Sequence, residues 1–356
     1  MTRYLHYGIL LDMKDEETIQ AVGLLSGGLD SILAVRVMME QGIQVTPLHV
    51  ETGLTYERRN RLAGEDGERR SKAQRAADSL GLKLVTISAF DDYVPVILNP
   101  RHGYGSHMNP CVDCRIFLLR QARAWMDDHS HHFVFTGEVL GQRPNSQMRE
   151  ALETVERESG LEGLLLRPLS AKLLEPTVPE KRGWVDREKL YGFHGRNRKP
   201  QMALAKKLGI IEYAQPAGGC CFLVDEAYSR RLEDFLRHEG PGALTARRAF
   251  LLSIGRHLRL ASGRRVIVGR NKAENAYIAT QRDQGVLMTT ADVGGPTTLI
   301  ISDPTDREIE QAARITARYS AGRERPRVRV DVMVDGNSWT LTVAPLPLTD
   351  IHDLMV

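Results

Sequence analysis

Ser26-Gly27-Gly28-Leu29-Asp30-Ser31 places two glycines, two hydroxyls and a carboxylate between an apolar run and a helical pattern. Glycines let the backbone turn tightly and approach a ligand, and the start of a helix presents unpaired N–H groups. Together with the Ser26 and Ser31 hydroxyls and the positive helix end, these donors suit a pyrophosphate. A carboxylate beside phosphates makes sense as a partner of Mg²⁺, the role this spacing gives Asp30. The lysine-bearing glycine loop of ordinary kinases and GTPases is absent. The second concentration of chemistry is cysteine: Cys111 with Cys114, and Cys220 with Cys221. Thiolates are the nucleophilic and metal-binding form of cysteine. Four of them in 356 residues do not describe a disulfide scaffold. They could close a zinc site, although the adjacent Cys220 and Cys221 cannot easily point at one metal. Persulfide exchange between thiols is a metal-free alternative, and buried inert thiols are the plain one.

Apolar content of 42% and charged content of 26% describe an ordinary soluble globular chain long enough for two domains. The longest apolar runs, such as Ala21 to Leu25, are too short to cross a bilayer. The first 17 residues turn acidic and lack a small-residue cleavage site, so a cytoplasmic protein without membrane contact is expected. Net charge is only +3, but the basic residues cluster at Arg58, Arg59 and Arg61, at Lys181 to Lys199, and at Arg323 to Arg329. Each cluster could meet phosphates or form a solvated loop. Short apolar runs at Val22–Leu25, Val45–Val50, Leu82–Ile87 and Phe133–Thr136 alternate with helical patterns at Ser31–Gln41, Arg70–Leu80 and Ile116–Met126. That alternation implies an α/β, doubly wound parallel sheet. A helix-like stretch at Thr245–Leu260 precedes strand patterns, a helix at Asp306–Tyr319 capped by Thr305 and Glu308, and a hairpin of Val328–Val334 with Trp339–Val343. The expected organisation is an extension at 1–20, an α/β domain at 21–225, a helical linker at 226–260 and a smaller α+β domain at 261–348.

SGGLDS resembles the signature of the PP-loop pyrophosphatases, which adenylate a substrate and release pyrophosphate. Beside tRNA thiolases, that superfamily (adenine nucleotide alpha hydrolase-like in fold) holds asparagine, argininosuccinate, NAD and GMP synthetases. Thr136-Gly137-Glu138-Val139-Leu140-Gly141-Gln142, followed by Ser146-Gln147, resembles a segment of the ThiI-type tRNA 4-thiouridine synthases, apart from an insertion before Ser146. Arg167-Pro168-Leu169 resembles another segment of that family. No tRNA-binding module is evident ahead of the loop. Asn109-Pro110-Cys111-Val112-Asp113-Cys114 is closer to the anticodon 2-thiouridylases, and Gly219-Cys220-Cys221-Phe222 resembles their second cysteine segment, matching best at Cys221. The resemblance implies that Ser26, Gly27, Gly28, Asp30, Ser31, Thr136, Gly137 and Gln142 bind ATP, with Asp30 on Mg²⁺. It further implies that Cys111, Cys114 and Cys221 handle sulfur supplied as inorganic sulfide or by a cysteine desulfurase. By likeness to cluster-dependent thiolases, these three would ligate a 4Fe-4S cluster with one iron open to hydrosulfide.

Val268-Gly269-Arg270-Asn271-Lys272-Ala273-Glu274-Asn275-Ala276-Tyr277 resembles the opening of the NFACT RNA-binding domain, and Ala291–Pro296 (ADVGGP) matches it further. In that likeness Gly269 and Asn271 form a polar turn while Arg270 and Lys272 reach the phosphates of tRNA. His129, His131 and His132 fit a polar surface turn, and His102, His107 and His194 accompany basic loops. The expected activity is ATP-dependent tRNA uridine thiolation, a tRNA sulfurtransferase. The rivals are an amidating ligase with structural cysteines and an RNA-binding protein with a degenerate ATP site.

Overall fold

The computed structural model describes residues 18–63, 70–213, 220–334 and 336–356. The expected extension up to residue 17, Gly219 of the second cysteine segment and Asp335 of the hairpin lie outside the described residues. Gln20–Leu24 is buried at its three central positions, as a strand covered on both faces must be. This strand, β1, centres a five-stranded sheet of order β3-β2-β1-β4-β5, with β2 Gln44–Glu51, β3 Val85–Ser88, β4 Phe133–Phe135 and β5 Leu165–Leu166. β1 pairs in parallel with β2 and β4, and β4 with β5. This is the doubly wound order, and its direction of growth reverses between β1 and β4. Sheets of this kind take ligands beyond the carboxyl ends of the strands at that reversal. The SGGLDS loop follows β1 and the Thr136–Gln142 loop follows β4.

Close packing fixes the neighbourhood of β1. A Cβ on Gly23 would lie 2.4 Å from the Phe135 ring, so only glycine admits that ring. Phe135 is 1% exposed, which contributes about 1.5–3 kcal/mol by burial alone. The helix Leu29–Met39 buries eight of its eleven residues and is apolar nearly all round, the signature of an internal helix. Gly42, at φ +79°, ends it and turns the chain into β2. Leu25, Leu33, Val35, Phe133, Leu166 and Leu204 share this core.

By contacts, the described residues within Met1–Leu48, Ala76–Val85 and Leu119–Tyr213 form one compact unit, and those within His49–Arg75, Thr86–Leu118 and Ala214–Val356 another. All four cysteines fall in the unit that holds the C-terminal antiparallel sheet. That antiparallel sheet has the order β11-β10-β8-β9-β7-β6. Its strands are β6 Arg256–Arg259, β7 Arg265–Val268, β8 Gly285–Thr290, β9 Thr298–Ile301, β10 Val328–Val334 and β11 Asn337–Val343. The helix Asp306–Arg318 packs on it through Ile309, Ala312, Ala313 and Ile315. Its capping box is as read: Glu308 accepts from the Thr305 N–H at 2.7 Å, and Thr305 Oγ1 accepts from the Glu308 N–H at 3.4 Å. Thr245–Leu260 is not one helix. It is the helix Ala246–Leu251 followed by β6, because Gly255 at φ +71° breaks the helical path. Among the described residues no helix is long and apolar enough to cross a membrane.

Candidate nucleotide site and thiol cluster

The loop after β1 is held by its own hydroxyls. Ser31 Oγ donates to the Gly28 carbonyl at 2.8 Å, accepts from the Ser26 N–H at 3.3 Å, and lies 3.3 Å from Ser26 Oγ. Gly27 sits at φ +76°, a conformation that a side chain would strain. Gly28 is the N-cap of Leu29–Met39 and contributes no side chain, leaving the first helical N–H groups without a side-chain acceptor from the cap. The second loop is pressed directly against this helix start. A Cβ on Gly137 would fall 2.4 Å from the Asp30 carbonyl carbon and oxygen and 2.6 Å from the Ser31 nitrogen. Two backbones can approach so closely only with glycine at 137.

Gln142 Nε2 donates to Asp30 Oδ2 at 2.9 Å, while Asp30 Oδ1 is buried and has no hydrogen-bond partner among the described residues. A buried, unsatisfied carboxylate oxygen is uncommon and fits an oxygen ligand awaiting a cation. One carboxylate plus substrate phosphates is an ordinary way to hold Mg²⁺. The remaining residues of the Thr136–Gln142 loop fix its shape. Thr136 Oγ1 donates to Glu138 Oε2 at 3.1 Å, and buried Arg167 bonds the same oxygen at 3.2 Å and Glu156 at 2.8 Å. Arg167 is thus a buried counter-charge beneath the loop. Ser170 Oγ accepts from the Leu140 N–H at 3.0 Å and donates to the Phe193 carbonyl at 2.7 Å.

In the other unit, Cys111 and Cys114 occupy the first turn of the helix Cys111–Asp128, three apart and therefore on one face. The Cys114 N–H bonds the Pro110 carbonyl at 2.7 Å, and the Asp113 carboxylate accepts from the Arg101 and His102 N–H groups at 3.0 and 2.9 Å. Cys220 and Cys221 precede Phe222, whose ring lies 5.1 Å from those of both Tyr56 and Tyr228 and whose N–H bonds the Leu54 carbonyl at 2.8 Å. Ser229 Oγ joins the two cysteine segments, accepting from the Met108 N–H at 3.4 Å and donating to the Leu223 carbonyl at 3.2 Å.

The four thiols share one electrostatic neighbourhood. Burial pushes the Cys114 thiol up to about 11, against a hydrogen bond from Tyr93 that lowers it, and Cys220 and Cys111 raise it further. Cys221 is raised well above its usual range by its hydrogen bond with Cys220, then by burial and by Cys220 and Cys114 charges. Both are held as thiols. Their softness suits iron or zinc, yet no three Cys, His, Asp or Glu side chains among the described residues converge as a group that could hold a metal ion.

Other candidates are absorbed by the fold. His131 Nε2 lies 2.9 Å from Thr46 Oγ1, His129 stacks on Trp125 with centroids 3.7 Å apart, and His132 Nδ1 accepts from the Gln20 N–H at 3.1 Å. Arg58 lies over the Phe250 ring at 4.3 Å and Arg59 over Tyr56 at 4.9 Å. Arg270, read as a phosphate contact, is committed to Glu274: its N–H and Nε donate to that carboxylate at 2.9 and 3.0 Å. Asn271 caps the helix Lys272–Ala279, and Asn275 Oδ1 accepts from the Thr297 N–H at 3.0 Å. Lys272 remains exposed, as do Arg323 and Arg329. Sequence reading missed Gln201, which is fully buried and donates to Gln142 at 3.4 Å. Its spacing with Leu204 and Ala205 on an apolar stripe was the available signal.

Fold and site define an α/β unit with a glycine loop at a topological switch point, and an antiparallel-sheet unit. Comparison with known families agrees: residues 17–172 match the model for thiamine biosynthesis protein (ThiI), and residues 255–355 match that for the NFACT protein RNA binding domain. The two matches fall on the segments that carried the sequence resemblance, one similar to ThiI and one similar to the NFACT RNA-binding domain. A tRNA-specific 2-thiouridylase MnmA from Treponema denticola is 20% identical over 85% of this chain and 84% of its own length. Among solved structures, a 4-thiouridine synthetase in complex with RNA and ATP is 19% identical at TM-score 0.31, over 54% of this chain and 51% of that one. The C-terminal part of a fibronectin/fibrinogen-binding protein from Streptococcus suis is 17% identical at TM-score 0.27, over 44% of this chain and 77% of that one.

Proposed function

We propose that this protein uses ATP to adenylate a uridine carbonyl oxygen of tRNA and then replaces that oxygen with sulfur. The observation that carries this is Asp30, with one oxygen fixed by Gln142 and the other open, beside the glycine turn of a segment matching the ThiI model. The RNA-binding domain match supports action on RNA. So does the named activity of the thiouridylase relative.

Ser26, Ser31 and the helix N–H groups receive the phosphates, and Asp30 Oδ1 would hold Mg²⁺, which supplies charge neutralisation on the polyphosphate. The uridine oxygen attacks the α-phosphorus, the Pα–O bond to the β-phosphate breaks, and pyrophosphate leaves. The base carbon now carries AMP, a good leaving group. Hydrosulfide supplied as inorganic sulfide and received at Cys111, Cys114 and Cys221 attacks that carbon. The C–O bond breaks and its electron pair leaves with AMP, with no oxidant or reductant needed. Where a cysteine desulfurase supplies the sulfur, it arrives as a persulfide on one of these cysteines, and its outer sulfur attacks the carbon. A second cysteine thiol then breaks the S–S bond, and the disulfide left behind needs a thiol reductant before the next turnover. Domain limits follow the same assignment: a PP-loop thiolase part at 21–225 and an RNA-binding part at 261–348, joined through 226–260.

Mass spectrometry of tRNA nucleosides from a deletion strain tests the activity and reads whether position 8 or 34 is involved. Loss of one thionucleoside, restored by the wild-type gene and not by Cys114→Ser, is expected; unchanged thionucleosides would sink the proposal. Anaerobic purification decides the sulfur carrier. Iron with acid-labile sulfide would give the three cysteines a 4Fe-4S cluster, as the resemblance implies, whereas an added sulfur on an iron-free protein would make one of them a persulfide. Ammonia-dependent product formation without sulfur would instead make it an amidating ligase.

A further inference from the structure

The glycine loop contains no lysine or arginine, yet a triphosphate needs cationic partners. One such partner beside Asp30 comes from beyond residue 172, where the ThiI match ends. Arg198 Nη2 lies 4.0 Å from Asp30 Oδ2, too far for a committed hydrogen bond, and Arg198 Nε is buried without a partner among the described residues. The residue is held in range by backbone. Leu140 bridges to His194, and the Gly195 N–H bonds the Leu140 carbonyl at 2.8 Å, so the segment leading to Arg198 is tied to the Thr136–Gln142 loop. Arg198 is then the N-cap residue of Lys199–Lys207, whose first turn carries Gln201.

The orientation of this network follows from chemistry. An ionised carboxylate only accepts, so Gln142 must turn its amide N–H₂ to Asp30 and its oxygen outward. Gln201 must in turn present its own N–H₂ to that oxygen, at 3.4 Å. The relay runs Gln201 to Gln142 to Asp30 and leaves three buried polar atoms without a hydrogen-bond partner among the described residues: Asp30 Oδ1, Gln201 Oε1 and Arg198 Nε. Gln201 is 0% exposed. A fully buried amide with an unused oxygen is expensive to keep unless a ligand uses the site.

We infer that Arg198 is the polyphosphate-binding cation of this site and that Gln201, acting through Gln142, is a positioning residue that holds Asp30 with its free oxygen toward the nucleotide. Without nucleotide the guanidinium rests near Asp30. With it, the carboxylate turns its charge to the divalent cation and Arg198 takes the β- and γ-phosphates. This rests on the ATP-dependent reading of the site, but not on sulfur transfer.

The test is binding of MgATP and of AMP by the purified full chain, measured by calorimetry for wild type, Arg198→Lys, Arg198→Ala and Gln201→Leu. Loss of one charge-assisted contact weakens binding roughly 10–100-fold. Arg198→Ala is expected to lose that for MgATP, with AMP altered less than about threefold and Arg198→Lys in between, an ordering that general misfolding does not produce. Gln201→Leu is expected to shift the Mg²⁺ concentration needed for ATP binding upward while metal-free ATP binding stays the same. Equal MgATP affinity in wild type and Arg198→Ala would overturn the role of Arg198 and leave the thiolase proposal standing. Equal loss of MgATP and AMP would reduce Arg198 to a structural part. A deletion strain with unchanged thionucleosides, beside a protein showing the expected affinities, would retain this inference and discard sulfur transfer.

Discussion

Two turns in this chain look alike in sequence and differ in what they leave unsatisfied. Both follow a buried strand, contain glycine and polar residues, and open a helix: Ser26–Ser31 after β1, and Gly269–Asn271 after β7. In the second, nearly every polar group is used internally. Arg270 bonds Glu274, Asn271 caps the helix, and Asn275 reaches Thr297. In the first, one oxygen of Asp30 stays open at the helix start, with Gln201 and Arg198 atoms open around it. Composition marks a polar turn in both cases. Unsatisfied buried atoms distinguish a turn built to receive something from one built to hold itself together.

The largest effect should come from the open turn. Asp30→Asn keeps the shape and removes the charge, so tRNA-dependent pyrophosphate release is expected to fall roughly 10²–10³-fold, the scale of losing one preorganised electrostatic group. The melting temperature should hardly move, because the lost oxygen has no partner among the described residues to strand. A destabilised protein with near-normal turnover per folded molecule would erase the contrast between the turns.

Paired glycine substitutions sharpen it next. Gly137→Ala places a methyl 2.4 Å from backbone atoms of Asp30, which cannot rotate away, so the nucleotide loop must move and ATP use should fall more than stability. Gly269→Ala places one 2.0 Å from Asn275 Oδ1, a side-chain end that can swing aside only by giving up the Thr297 N–H. Stranding that buried donor costs about 1–3 kcal/mol. Denaturant unfolding followed with pyrophosphate assays should therefore show opposite profiles for the two variants. Matching profiles would mean the turns do the same job.

Much of the first unit was legible in sequence because its chemistry is local. Ser26 to Ser31 are contiguous, and the flanking strand and helix have clear apolar patterns; in the second unit the capping box at Thr305 and Glu308 is legible for the same reason. What escaped depends on distance along the chain. Arg198 lay inside a basic cluster that also fits a solvated loop, and only the fold brings it from beside Lys199 to Asp30. Arg167 was visible as a family segment but not as the counter-charge of Glu138, 29 residues away. β6 was hidden because the stretch from Thr245 is helical at first, and the break rests on one left-handed glycine, Gly255. The cysteines were read as two pairs. Their shared neighbourhood is a product of Ser229 and the Phe222 anchor, neither of which carries a cysteine signature.

The smallest effect concerns acid. Burial alone would raise Glu274, yet hydrogen bonds from the Arg270 side chain and backbone prevail and hold its carboxyl below the usual 4.5. A depressed acid stabilises the folded form above its unfolded value, and that contribution is lost as pH falls through the folded value. Arg270→Ala should therefore lower stability most at neutral pH, and its deficit against wild type should shrink as the pH drops below about 4.5. Lys272→Ala, at an exposed and uncommitted neighbour, should leave that pH profile unchanged and instead reduce the salt dependence of RNA binding by about one unit of slope. If Arg270→Ala changes the salt slope as much as Lys272→Ala and leaves the acid profile alone, the guanidinium serves RNA rather than Glu274, and the second turn is open after all.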